Sequence, residues 1–244
     1  MTYSIQGDFI ILHGPPGIGK TQTAASFPGP VVFLATESGH RHIPPDQKKL
    51  VYQVKKWEDF KSPKLMAHLK KVKPKTVVID TLTRLYMKAK QYVCQKNNCR
   101  NPAERGEFGR TIWSILSDEF GEEFEAVASR ILANKATLIA ITHTDEDTVS
   151  TPIEDYIRLM ASMSTQVRRW VAGVADWIWY LGYDHDDAQE SFIYSDKRRL
   201  WLSGTPTVEA KSRDPNLKTK SLVLPTTGQY EAIVKALSKK KGKK

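Results

Sequence analysis

Four short apolar runs, Phe9–Leu12, Val31–Leu34, Val77–Ile79 and Thr137–Ile141, punctuate the chain, and each ends in a polar or glycine-rich stretch. Runs of this length without polar alternation are characteristic of strands buried on both faces, as in a parallel sheet. Helices are expected between them. Thr21–Ser26 opens one that Phe27-Pro28 should stop, because the residue before proline avoids the helical region. Thr81 and Thr83 are candidate caps for a second helix running past Tyr86 and Tyr92 toward Cys94. Ile112, Ile115, Leu116, Phe120, Phe124, Val127, Ile131 and Leu132 recur at three- and four-residue spacing, the apolar stripe of a long helix lying on the sheet. Residues 144–170 read as a polar connection with a helix near its end. Beyond it, "ADWIWYLGY" and "ESFIYSDKRRLWLSG" read as two strands joined across an acidic turn. "TVEAKSRDPNLKTKSLVLP" adds a short strand and a basic turn, and Tyr230–Leu237 a terminal helix. The expected class is α/β: a mostly parallel central sheet flanked by helices, with antiparallel strands toward the C-terminus. One domain should cover residues 1–237, followed by a basic, disordered tail at 238–244.

The first strand runs into Gly14-Pro15-Pro16-Gly17-Ile18-Gly19-Lys20-Thr21, which satisfies G-x-x-x-x-G-K-[ST] at every constrained position. Glycines let successive backbone N–H groups turn inward around phosphate oxygens with no Cβ in the way. Lys20 is then expected on the β- and γ-phosphates, and the Thr21 hydroxyl on magnesium. Gln22 follows on the opening turn of the helix. Gly14 through Gln22 are thus the candidate nucleotide-binding residues, with ATP and Mg²⁺ as ligands.

Three polar residues at strand ends extend the site. Asp80 closes the Val77–Ile79 strand in the Walker B arrangement and is the second candidate magnesium ligand. Glu37 follows the Val31–Leu34 strand, where a carboxylate lies at the rim of the ligand crevice. It is either the residue that orients the attacking water or a solvated loop glutamate. His143 follows the Thr137–Ile141 strand and either senses the γ-phosphate or is a satisfied structural histidine.

Composition bounds the remaining possibilities. At 244 residues and 40% hydrophobic content the chain can bury one sizeable core. No stretch approaches the roughly 20 apolar residues needed to cross a bilayer. The N-terminus lacks the basic-then-apolar order of a secretory signal. Cys94 and Cys99 stand without a second pair, so reduced thiols and a cytoplasmic location are expected. The net charge is +10, and five lysines sit in the last six residues, "KKKGKK". That balance favours a polyanionic partner. The polar segment "NNCRNPAERGEFGR" interleaves Arg105 and Arg110 with Phe108, and Arg168 and Arg169 precede Trp170. Cations beside rings suit single-stranded nucleic acid, phosphates on the cations and bases on the rings.

In order, "GPPGIGKTQTAASFP", "VVFLATESG", "TVVIDTLTRLY", "ATLIAITHTD", "VADWIWYLG" and "EAKSRDPNLK" span roughly residues 8–225, and the whole resembles a RecA-like P-loop ATPase core. The resemblance is to the short phage-type ATP-binding proteins of the AAA/RecA-like group, some of which act in single-strand annealing or recombination. It implies that Glu37 is the catalytic glutamate and His143 the γ-phosphate sensor. It places DNA-binding loops after Asp80 and after His143. It also implies that Lys211 and Arg213 reach the ATP site of a neighbouring subunit, stabilising charge on the transferred phosphoryl group. Implied partners are single-stranded DNA, further copies of the chain, and single-strand-binding or replication proteins. No N-terminal subunit-tethering domain is recognisable. Other readings of the residues stay open: a non-hydrolysing, ATP-switched DNA-binding or assembly protein, a helicase-loader or motor subunit, and a nucleotide kinase, for which neither an arginine-rich lid nor an acceptor pocket is evident.

Overall fold

The computed structural model describes residues 4–38, 41, 49–104, 111–184 and 197–238. Along the chain run β1 (Phe9–His13), α1 (Lys20–Ala25), β2 (Val31–Ala35), β3 (Lys49–Gln53), α2 (Trp57–Phe60), α3 (Pro63–Val72), β4 (Thr76–Asp80), α4 (Leu82–Lys96) and α5 (Ile112–Ala133). There follow β5 (Thr137–Thr142), β6 (Thr144–Ser150), β7 (Asp155–Ala161), α6 (Thr165–Val174), β8 (Trp177–Tyr183), β9 (Arg198–Trp201), β10 (Lys211–Ser212), β11 (Ser221–Leu224) and α7 (Gln229–Leu237).

The main sheet has the order β11-β9-β8-β1-β5-β4-β2-β3, with β10 added against β8. From β8 to β3 every neighbouring pair is parallel, while β9, β10 and β11 pair antiparallel. This is the α/β class the apolar runs imply, with antiparallel strands at the C-terminal end of the chain. The parallel strands β1, β2, β4 and β5 are buried along their whole length, which is why each reads as an unbroken apolar run.

Successive strand residues point to opposite faces and build two cores. Phe9, Ile11, Val77 and Ile79 face one layer, closed by α2 to α6. There Trp57 stacks on Phe60 and Phe120, with centroids 5.3 and 5.4 Å away. Ile10, Leu12, Val78 and Trp179 face the other layer, closed by α1 and α7. Helix starts are capped as their sequences suggest. Thr81 accepts a hydrogen bond from the Arg84 N–H, and Thr111 and Ser164 act likewise at α5 and α6. Thr83 is not a cap; its hydroxyl bonds that of Thr142 on β5.

Two regions differ from the sequence expectation. Residues 144–161 are not an irregular connection but an antiparallel hairpin, β6 with β7, paired from Thr144–Ala161 to Ser150–Asp155. β6 is largely solvated and β7 mostly half-buried without a buried face, so neither shows the apolar alternation by which strands are recognised. The stretch between Gly39 and Lys75 also holds β3, α2 and α3. The cue for α3 was present: Ser62 caps it and Pro63 occupies its first position. The basic tail from Lys239 onward lies outside the described residues. Among the described residues no helix is long and apolar enough to cross a membrane.

Candidate nucleotide-binding site

Register fixes the site. His13 stands opposite Thr142, Asp80 opposite Ile141, and Ala35 beside Asp80, so β1, β5, β4 and β2 end at one level. The segments carrying Lys20, Thr21, Asp80, Glu37 and His143 all leave from that carboxyl edge. Ligands of open parallel sheets bind outside this edge.

The phosphate loop is held from both ends. Gly14 packs so closely on the Leu181 carbonyl that a Cβ there would collide with it. Ile18 is buried in the core around α1 and pins the loop from below, while Pro16 and Gly17 stand exposed. Gly17 and Gly19 have φ of 77° and 99°, the left-handed region that glycine adopts without strain. The Lys20 ammonium donates to the Gly14 and Pro15 carbonyls at 2.7 and 2.9 Å. Burial lowers its pKa to about 8, against the attraction of Asp80 and Glu37. A desolvated ammonium whose hydrogen bonds go only to carbonyls gains from an added anion.

Opposite Lys20, the Thr21 hydroxyl donates to Asp80 Oδ2 at 3.1 Å. Asp80 is almost fully buried, and desolvation is the largest influence raising its pKa, to about 6; the Thr21 bond opposes this and Glu37 adds to it. One hydroxyl and one carboxylate are the sparse set Mg²⁺ takes when triphosphate and water complete its shell. The pair fits that ion, and the attraction of Lys20 only partly offsets the cost of burying Asp80. Among the described residues no group of three or more metal-ligating side chains gathers elsewhere.

Glu37 is set by its neighbour Thr36. The Thr36 N–H donates to the Asp80 carbonyl at 2.9 Å, and its hydroxyl accepts from the Thr81 N–H at 2.7 Å. This clamps the end of β2 to the end of β4 and places the Glu37 carboxylate close enough to act on both Asp80 and Lys20. Arg84, on the first turn of α4, pairs with Glu37 at 3.6 Å. Neither group is deeply buried, so the ion pair orients Glu37 without locking it. His143 lies in the same field: burial, then Lys20, lower its pKa. Its Nδ1 is buried with no hydrogen-bond partner, an orphan at the edge where the sensing role would put it.

Several residues escape a sequence reading. His13, the last residue of β1, is fully buried; its Nε2 donates to the Glu209 carbonyl at 2.7 Å, so Nδ1 accepts from the Thr144 hydroxyl at 3.0 Å. Burial drops its pKa to about 4 and keeps it neutral. It ties the strand that enters the phosphate loop to the first residue of the β6–β7 hairpin. In sequence it is one polar letter after an apolar run. Arg84 and Arg198 are likewise ordinary basic letters until the fold brings them to the loop.

Other expected site residues lie elsewhere. Lys211 pairs with Ile178 near the start of β8, and β8 runs parallel to β1, so Lys211 and Arg213 sit at the opposite, amino edge of the sheet. They do not reach this chain's own phosphate loop. Lys211 donates to the Ala172 and Ala175 carbonyls at 2.7 and 3.0 Å. Arg213 donates to the Gly173 carbonyl at 2.6 Å and pairs with Asp176 at 3.3 Å. Together they cap the C-terminal, electronegative end of α6. Arg168 is also engaged, donating to the Ala161 carbonyl at 2.9 Å. Arg105, Phe108 and Arg110, and the side chain of Arg169, lie outside the described residues.

A family model described as an AAA domain matches residues 7–213. The chain belongs to that AAA-domain family. The match takes in the phosphate loop, Glu37, Asp80, His143 and the hairpin, and it extends to Arg213. Solved structures with a similar path include a KaiC-like protein from the hyperthermophilic archaeon Pyrococcus horikoshii OT3, at 14% identity over 90% of each chain and a TM-score of 0.46. No curated protein matches the chain. For this AAA domain, a phosphate-loop core with nucleotide as ligand is the family expectation, and the carboxyl-edge geometry is compatible with it.

Proposed function

We propose that this AAA domain binds ATP with Mg²⁺ and hydrolyses its γ-phosphate bond. The observation that carries the reading is the Thr21–Asp80 hydrogen bond at the carboxyl edge, flanked by the buried Lys20 and by Glu37. Magnesium held by Thr21 and Asp80 would supply positive charge to offset the charge that develops as the bond breaks. The chain's own residues do the rest. Loop N–H groups and Lys20 hold the triphosphate, Thr21 and Asp80 hold the ion, and Glu37 accepts a proton from water aligned behind the γ-phosphate. His143 offers its unpartnered Nδ1 to that phosphate, and the His13–Thr144 bond carries the occupancy of the loop to the hairpin.

The partner we propose is single-stranded DNA, with annealing or recombination as the task, on the support of the +10 charge and the phage-type resemblance. The hairpin is a poor contact for it. Within its two strands and turn, Asp145, Glu146, Asp147, Glu154 and Asp155 outnumber one cation, Arg158, so phosphates would be repelled there. The contact we propose therefore lies off the hairpin.

Phosphate release by wild type and Glu37→Gln, with and without single-stranded DNA, tests both statements. Glu37→Gln should bind ATP with unchanged affinity and lose at least a hundredfold in turnover. Normal turnover in that variant removes the glutamate assignment. DNA binding should weaken steeply as salt rises, because each neutralised phosphate releases counterions. Absent or salt-independent binding removes the partner.

A further inference from the structure

The order of the strands gives a bound nucleotide its direction. Asp80 ends β4, Glu37 follows β2 and His143 follows β5; all three strands lie on one side of β1. If these residues serve metal, water and γ-phosphate, the nucleoside must leave the loop on the other side, toward β8 and β9. There the structure places Arg198, a cation that the proposed chemistry does not use.

Arg198, the first residue of β9, is half-buried, and its Nη1 occupies the space that a Cβ on Gly19 would need. Its Nη1 is 3.4 Å from the Ile18 carbonyl and its Nη2 3.4 Å from the Pro225 carbonyl. With the Gln229 amide in the orientation that satisfies both of its ends, Gln229 accepts from Nη2 at 3.1 Å and donates to the Gln22 carbonyl at 3.3 Å. Gln229 is itself almost fully buried, so this small polar cluster is built into the fold. Among the described residues Arg198 has no carboxylate partner; long bonds to neutral carbonyls are all that hold it. A guanidinium in that state offers spare donors and a planar face suited to stacking.

We propose that Arg198 binds the nucleoside part of the nucleotide, its plane against the base and its N–H groups on ribose oxygens, so that the site selects nucleotides over bare polyphosphate. This rests on the phosphate-loop reading above.

Titration of Arg198→Ala and wild type with Mg·ATP and with Mg·tripolyphosphate, which lacks a nucleoside, is the test. Arg198→Ala should weaken ATP at least fivefold and leave tripolyphosphate within twofold, and that retained affinity also shows that the loop is folded. Equal weakening of both ligands would overturn the proposal, since the guanidinium would then act on phosphate or on the loop itself. So would unchanged affinity for both. If wild type binds neither ligand, the phosphate-loop reading is what has failed.

Discussion

The two edges of the central sheet treat their charges in opposite ways. At the amino edge Lys211 and Arg213 are satisfied by the chain itself: Lys211 by two carbonyls, Arg213 by a carbonyl and by Asp176. The carboxyl edge leaves its charges short. Lys20 bonds two carbonyls, as Lys211 does, but it is almost fully buried, and Asp80 beside it bonds a threonine hydroxyl. The two attract each other without forming an ion pair, and burial still shifts both toward their neutral forms. Charge used to hold a fold is placed where partners already exist. Charge kept for a ligand is placed where the ligand supplies the partner, at a standing cost in stability.

The contrast is tested most severely at Lys20. Lys20→Ala should abolish measurable binding of Mg·ATP, a loss of more than a hundredfold by calorimetry. The fold should survive, because the ammonium bonds only carbonyls of its own loop and its burial is unfavourable. A variant that still binds ATP with native affinity would mean that the carboxyl edge is not where the triphosphate sits.

At the amino edge the same kind of substitution should do the reverse. Lys211→Met removes a cation from the end of α6 and frees two carbonyls, costing about 2 kcal/mol. That corresponds to a fall in Tm of roughly 4–8 °C for a domain of this size. ATP affinity should not change. If Tm instead holds while turnover collapses, the main task of Lys211 lies at another subunit's ATP site, as the RecA-like resemblance implies, and the contrast between the edges fails.

What could be read from the sequence follows from how local each feature is. The loop, β1, β2, β4 and β5 were legible because each is a contiguous run whose burial shows in its own residues. Asp80 and Glu37 were legible because a strand end places one residue without reference to anything distant. The hairpin was not, since its strands face water and carry no apolar period. The location of Lys211 and Arg213 depends on how β10 pairs with β8, a register no nearby residue announces. Arg198 needs three separate contacts, from Ile18, Pro225 and Gln229, before it stands beside the loop. Arg84 was three residues past the first Asp80 neighbour in the chain, yet its pairing with Glu37 requires β2 and β4 to be adjacent.

The smallest effect is the finest probe of the cost at the carboxyl edge. Asp80 titrates near 3.8 when exposed and at about 6 in the folded chain. A raised carboxyl pKa means the folded state binds the proton more tightly. The associated stability is therefore full below 3.8 and is lost as pH rises through about 6. Asp80→Asn keeps an oxygen for Thr21 and removes the charge. Without nucleotide or magnesium it should be more stable than wild type at pH 8, by on the order of 1–2 kcal/mol once solvent relaxation is allowed for. The gain should shrink toward zero at pH 4. Adding Mg·ATP should reverse the order, stabilising wild type more than Asp80→Asn. Thermal melts at two pH values, with and without Mg·ATP, measure all of this. If Asp80→Asn is less stable than wild type at pH 8 in the absence of ligand, the buried carboxylate is not the uncompensated charge that the contrast between the two edges requires.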